Sequence, residues 1–342
     1  MAGIGGLLIR DQQIAAGLVR TLERLRDLQG TEGQIASNYR VIEDRGSAKS
    51  QPQVSFGTLA PRIDAASWYL IGVALAARAA ALDAAAFRVS VRAVVRLLDA
   101  LEYNGRHLIY VPPGGNWADE YVHEGYILYD QVLRAWALRL VGALYAEKAW
   151  VEKASAIEQA IQSQYWPEDT DRLHPLAAFS PTVTRDVFDL AACSLLAASG
   201  IAEPLAARAL DGISKRFLGR SQLPPAFDPV IDESHPDWPA LRRYHLHEFR
   251  NRPHEYHNGG IWPIWLGWLA LGLARTKRAA DLDRLRRLVD ATIRALPSFD
   301  FEEYLHGKTH APGGIPAMAY SATGIVFLGV AGSEEHRVLL EL

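Results

Sequence analysis

The chain contains a single cysteine, Cys193, so it forms no internal disulfide and no metal site built from several thiolates. It lacks an excess of positive charge: 36 Lys and Arg stand against 39 Asp and Glu, a formal charge of −3, which leaves no basic field for nucleic acid. No run of roughly 18 uncharged apolar residues is present to span a bilayer. The apolar stretch Ile4–Ile9 is too short for a secretory signal and runs straight into Arg10 and Asp11. No Gly-x-Gly-x-x-Gly follows a strand, and Gly313-Gly314 is not followed by the Lys and Ser or Thr of a phosphate loop, so a nucleotide cofactor has no support. No His-Glu-x-x-His is present either, and His245, His247 and His254 lie at irregular spacing near Glu248 and Glu255, which argues against a metal. These absences predict a protein of a reducing, cytoplasmic compartment.

What the chain does have is apolar material. Over 342 residues 49% are apolar and 22% charged, enough for a large core and too apolar for disorder. Its pattern is helical almost throughout. Ile14, Leu18, Leu22, Leu25 and Leu28 form one apolar stripe closed by Gly30. Residues 65–82 read as a helix apolar on nearly every side, and Asp83 caps the next, 84–102, whose Arg88, Arg92 and Arg96 mark a wetter face. The alternation continues through 126–145 and 147–163, 188–198 and 202–213, 259–275 and 278–296, then 318–330 with a short Glu-rich end. No strand-like runs of Val and Ile support a parallel sheet. Buried helices alternating with wet ones predict two concentric rings, an all-α (α/α)6 toroid in one domain. About eleven helices are countable, and the twelfth is expected within 238–249. A stack of helical repeats would show self-similarity at a fixed period, and none is seen.

In a double ring the loops leading into the inner helices gather at one end as a funnel. Five segments next to inner-helix candidates mix carboxylates with aromatic rings, amides and glycines: 55–68, 112–131, 184–189, 254–265 and 301–321. Aromatic faces stack on sugar rings while carboxylates and amides bind hydroxyls, so the pattern points to carbohydrate. Cleaving a glycosidic bond takes two carboxyl groups, one giving a proton and one activating water or attacking. Asp119, beside Trp117 and Tyr121 that would raise its pKa, is the acid candidate, with Glu120 as the alternative; either also suits a helix start. Glu303 is the base candidate, with Glu302 beside it, and the pair also reads as a solvated acidic cluster. Asp64 precedes a buried helix and suits an N-cap, while Arg62 and Trp68 beside it suit a sugar. His257-Asn258-Gly259-Gly260 into Trp262-Pro263 reads as a helix start, and its glycines also permit close approach of a ligand.

These motifs together resemble the (α/α)6 glycoside hydrolases that include amylo-α-1,6-glucosidases, processing α-glucosidases, mannosyl- and glucosylglycerate hydrolases and alkaline/neutral invertases, over roughly residues 55–330. Arg62-Ile63-Asp64 with Ser67-Trp68-Tyr69 is similar to the family's Val-Asp-x-x-Leu-Trp, whose Asp contacts the glycone. Asp119 stands where the general acid stands, ahead of Gln131 on the next helix. The run from Asn258 to Pro263 is similar to the family's Gly-Gly-x-Trp-Pro helix start. Glu303-Tyr304, Lys308-Thr309, Gly313-Gly314 and Tyr320-Ser321-Ala322 resemble its Glu-Tyr-(Tyr/Phe)…Thr-Gly…Trp-(Ser/Thr)-Ala, in which the Glu is the catalytic base. Two positions depart from the pattern: His306 stands where Asp is frequent, and Tyr320 where Trp is common.

The resemblance implies inverting hydrolysis of a small α-glycoside such as sucrose, a glucosyl- or mannosylglycerate, or a short malto-oligosaccharide. Asp119 would protonate the leaving oxygen and Glu303 would deprotonate the attacking water, their carboxyl groups roughly 6.5–9.5 Å apart. Arg62, Asp64, Trp68, Trp117, Gln131, Asp189, His257, Asn258, Trp262 and Tyr304 would bind substrate. Residues 1–342 would form a single catalytic domain with no metal or organic cofactor, and a homo-oligomer stays open. Two other readings stay open as well: an epimerase or isomerase working through His254, His257 and His306, and a sugar-binding barrel without catalysis.

Overall fold

A computed structural model describes residues 1–42, 51–57, 60–167, 172–243, 245 and 248–340. Helices dominate, and they come in pairs. The first of each pair is α1 (Ala2–Leu8), α3 (Asp64–Arg78), α5 (Leu128–Tyr145), α7 (Leu190–Ser199), α10 (Pro263–Arg275) and α12 (Ala319–Val330). The second is α2 (Gln12–Asp27), α4 (Arg88–Ala100), α6 (Lys148–Gln164), α8 (Glu203–Arg216), α11 (Ala279–Ala295) and α13 (Glu334–Leu340). The first set packs in order, α1 on α3, α3 on α5, α5 on α7, α7 on α10, α10 on α12 and α12 back on α1, which closes an inner ring. The second set lies outside it, so the expected (α/α)6 toroid is present.

Composition explains which helix goes where. Every residue of α7 is buried, and α10 is buried from Pro263 to Leu273, because neither carries a charge before its last turn. Helix α4 instead buries Ser90, Val91, Val94, Val95 and Leu98 on one face and leaves its arginines outside. Where inner helices cross most closely, glycine is required: a Cβ on Gly267 of α10 would lie 2.5 Å from the Gly324 carbonyl oxygen of α12. Trp68, Trp136 and Trp268 fill the middle of the ring, with centroids 5.6–6.3 Å apart.

The twelfth ring helix is not where the sequence placed it. Residues 238–249 supply only a one-turn helix, α9 (Trp238–Leu241), outside the ring. The missing member is α1, whose Gly3, Gly5 and Gly6 weaken helix propensity but let α2 approach: a Cβ on Gly3 would lie 2.6 Å from Leu18. The strands are short and antiparallel. The longest pair, β1 (Asn38–Ile42) with β2 (Gln51–Ser55), forms a hairpin between α2 and α3. Among the described residues no helix is long and apolar enough to cross a membrane.

Each outer helix returns the chain, so all inner helices run the same way and begin at the same end. The segments before α3, α5, α7, α10 and α12 meet there, and helix N-termini face the pit they enclose. Two-residue ladders stitch these segments together: Tyr126–Ile127 with Ala178–Phe179, Phe188–Asp189 with Phe227–Asp228, and Tyr304–Leu305 with Pro312–Gly313.

Candidate active site

The loop before α5 is shaped by Asn116. Its Oδ1 accepts the Ala118 N–H at 3.0 Å, and its amide nitrogen donates to Asp130 Oδ2 at 2.8 Å, on the first turn of α5. Its backbone carbonyl accepts from Arg62 Nη1 at 2.6 Å, while the other arm of the Arg62 guanidinium pairs with the Asp119 carboxylate. Asp119 is thus held at the tip of a turn, half-buried, between two loops. Burial raises its pKa above the ordinary carboxylate value; Arg62 opposes that rise and Glu120 adds to it.

Glu303 enters from the other side, on the segment before α12. A Cβ at Gly314, whose φ is +78°, would lie 2.5 Å from Glu303 Oε2, so only glycine lets the carboxyl turn inward. The Glu303 carboxyl is buried, and its Oε2 has no hydrogen-bond partner. Its pKa is raised by burial foremost, lowered by Arg250 and the Ile315 backbone N–H, and raised again by the charges of Asp119 and Glu120.

Arg250 links the two sides. It donates from Nη2 to Glu120 Oε1 at 2.8 Å and from Nε to Oε2 at 3.3 Å, comes within 4.0 Å of Glu303 Oε2, and lies 4.0 Å above the Tyr256 ring. Its neighbour Asn251 is fully buried; its amide donates to the Glu120 carbonyl at 2.7 Å, and its Oδ1 accepts the N–H groups of His257 and Asn258. The segment so held has His254 at φ +70° and Tyr256 at φ +48°, conformations that persist only where surrounding contacts impose them.

Aromatic rings and acids make the floor. Trp117 meets Trp262, Trp265 and His257 edge-on at 4.9–5.4 Å and stacks on Phe227. The Trp68 N–H donates to the Tyr129 hydroxyl at 3.0 Å, which donates to Asp64 Oδ2 at 3.2 Å. Asp64 is therefore not the cap residue: α3 begins at it, and its carboxyl also takes the backbone N–H groups of Ala65 and Trp117. Asp189 does cap α7, through Oδ1 and the Ala192 N–H at 3.0 Å, and leaves Oδ2 buried without a partner. Burial pushes Asp64 to about 6 and Asp189 to about 7. Asp130 is raised by burial as well, and Asp64 and Asp189 add to it. All three acids sit in or next to the first turn of an inner helix, where the helix dipole favours negative charge.

No family model and no curated protein matches the chain. Solved structures do. It superposes on a family 63 mannosylglycerate hydrolase from Thermus thermophilus in complex with glucose with a TM-score of 0.67, at 16% identity, covering 96% of this chain and 91% of that one. It superposes on a bacterial glucoamylase complexed with acarbose with a TM-score of 0.61, at 11% identity, over 99% of this chain and 48% of that one, about half its length. A single-substitution variant of a further glycosidase gives a TM-score of 0.57 at 15% identity, over 98% of this chain and 86% of that one.

The fold is that of the (α/α)6 glycosidases.

On this glycosidase fold the structure brings Arg62, Asp64, Trp117, Asp119, Trp262, Glu303 and Tyr304 to one pit, with Trp68 below them. Within the adjacent pairs, Glu120 is spent on Arg250 and buried, whereas Asp119 is half open; Glu302 bonds the Asp300 N–H at 3.0 Å, whereas Glu303 turns inward. Two expectations need correction. Gln131 exchanges hydrogen bonds with the Ile109 backbone and donates to the Ile127 carbonyl, so all its polar atoms brace loops rather than meet a sugar. Asn258 is likewise committed, to Ile231 and the Asn251 carbonyl. Tyr121 stacks on Phe227 at 4.2 Å, and burial of the loop raises Asp119. His257 is buried between Tyr256 and Trp262, neutral, with both ring nitrogens unpartnered. Among the described residues no group of three His, Cys, Asp or Glu is placed to hold a metal; His247 lies outside them. Sequence reading missed Arg250, Asn251, Tyr256 and Asn116, which sit in irregular segments with no periodicity to single them out.

Proposed function

We propose that the protein is an inverting glycoside hydrolase acting on a small α-glycoside, with the whole chain as one catalytic domain in the cytoplasm. Asp119 gives its proton to the glycosidic oxygen as the C–O bond breaks. Glu303 takes a proton from the water whose oxygen attacks the anomeric carbon from the opposite face. One observation carries this reading: Arg250 holds Glu120, the neighbour of Asp119 in the loop before α5, at 2.8 Å and comes within 4.0 Å of Glu303 Oε2 from the loop before α12, so the two acids share one site. Two structural neighbours, a mannosylglycerate hydrolase and a glucoamylase, support the same chemistry. Asp64, Asp189 Oδ2 and the unpartnered nitrogens of His257 are buried polar groups of the kind that sugar hydroxyls satisfy, with Trp117 and Trp262 as apolar faces.

The epimerase reading needs paired histidines beside the acids; His254 and His306 do pair, with ring centroids 5.9 Å apart, but His254 lines a separate cavity with Asp228 and Lys308, and His257 is held neutral by burial. The test is a panel of α-glycosides assayed for reducing-sugar release. Asp119→Asn and Glu303→Gln are each expected to lose about 10³-fold or more in kcat with unchanged circular dichroism. Substantial activity in either variant removes that residue from its role.

A further inference from the structure

A cavity of about 320 Å³ opens beside the pit, between the C-terminal end of α4, the base of the β1–β2 hairpin and the loop into α3. Ile35, Phe56, Leu97 and Leu101 line it, and Tyr103, 74% exposed, stands among its residues. Arg62 belongs to both places: it lines the cavity, while its guanidinium turns to the Asp119 carboxylate and the Asn116 carbonyl. The Gln34 side-chain oxygen is also engaged, accepting the Glu32 N–H at 3.1 Å. Apart from the hydroxyls of Tyr103 and Tyr110, what the described lining offers is therefore apolar surface, of a size that suits one ring or a short chain. During acid-assisted departure the leaving group lies on the proton donor's side of the bond. One side chain, Arg62, separates this cavity from Asp119, the proposed proton donor.

We propose that the cavity is an aglycone subsite for an alkyl or aryl group, so that the preferred substrates are α-glycosides of apolar alcohols. This rests on the hydrolase reading and narrows it.

Methyl, n-butyl and cyclohexylmethyl α-D-glucopyranosides and α-D-mannopyranosides have leaving alcohols of similar acidity, so differences in kcat/KM within a series report binding. We expect kcat/KM to rise about three- to fourfold for each methylene buried. The gain should vanish in Leu97→Trp, which fills the cavity, and in Leu101→Glu, which charges it, while turnover of the methyl glycoside stays unchanged. Saturation-transfer NMR with benzyl alcohol needs no turnover; wild type should bind it and both variants should not. A flat series, or benzyl alcohol that is not bound or binds all three proteins alike, overturns the subsite. Benzyl alcohol bound only by wild type, with no glycoside cleaved, overturns the hydrolase reading and leaves an apolar site.

Discussion

Burial and two arginines set how the two proposed catalytic carboxyl groups titrate. Burial raises both Asp119 and Glu303; the first rise is opposed by Arg62 foremost and by Arg250 as well, the second by Arg250. An acid works protonated, so activity is lost as pH climbs through its pKa. Replacing Arg62 by Met removes the cation that favours the Asp119 carboxylate, raises its pKa, and should move the alkaline limb of the kcat/KM profile to higher pH. A base works deprotonated, so activity is lost as pH falls through its pKa. Arg250→Met should therefore move the acidic limb upward. The same change leaves Glu120 buried without its guanidinium, and should cost roughly 3 kcal/mol of stability in denaturant melts. Unmoved limbs in both variants would mean that other groups control the profile.

At the scale of elements, the closest packing is glycine on glycine between α10 and α12. Alanine is the better helix former by about 1 kcal/mol, yet at position 267 its methyl would meet the backbone of Gly324 rather than a yielding side chain. Gly267→Ala should thus be destabilised by about 1–3 kcal/mol, read as a lower urea midpoint at unchanged slope; a raised midpoint would show that the helices part easily. The same physics decides what could be read in advance. Inner and outer helices differ in how many faces are apolar, a property of short windows, so eleven of the twelve ring helices were legible in the sequence. Helix α1 was hidden because its glycines, needed for contact with α2, read as poor helix. Polar residues in motifs were ambiguous for another reason: Asp64 and Gln131 both belong to loop-to-helix segments, and only the fold decides that one faces the pit while the other holds the Ile109 backbone. Arg250 and Asn251 were silent, since their partner Glu120 lies 130 residues earlier in the chain.

For the molecule as a whole, gathering helix N-termini around a pit also gathers acids that burial keeps partly protonated. Asp64 is raised to about 6 and Asp189 to about 7, against ordinary values near 4. Between these limits the native state binds more protons than the unfolded chain, so stability should fall as pH rises from about 4 to 7 and level off above. Asp189→Asn keeps an oxygen for the Ala192 cap and removes the ionisation. It should raise the melting temperature at pH 8, by a stabilisation of at most a few kcal/mol, and leave it nearly unchanged at pH 4. Equal effects at both pH values would show that Asp189 is not destabilised by ionising. The hydrolytic account itself is tested most directly by proton NMR of the sugar released from a cleaved α-glycoside in the first minutes, before mutarotation. Water attacking opposite the leaving group gives the β-anomer first. Release of the α-anomer first would contradict the assignment of Asp119 and Glu303 as an acid and base acting across a water.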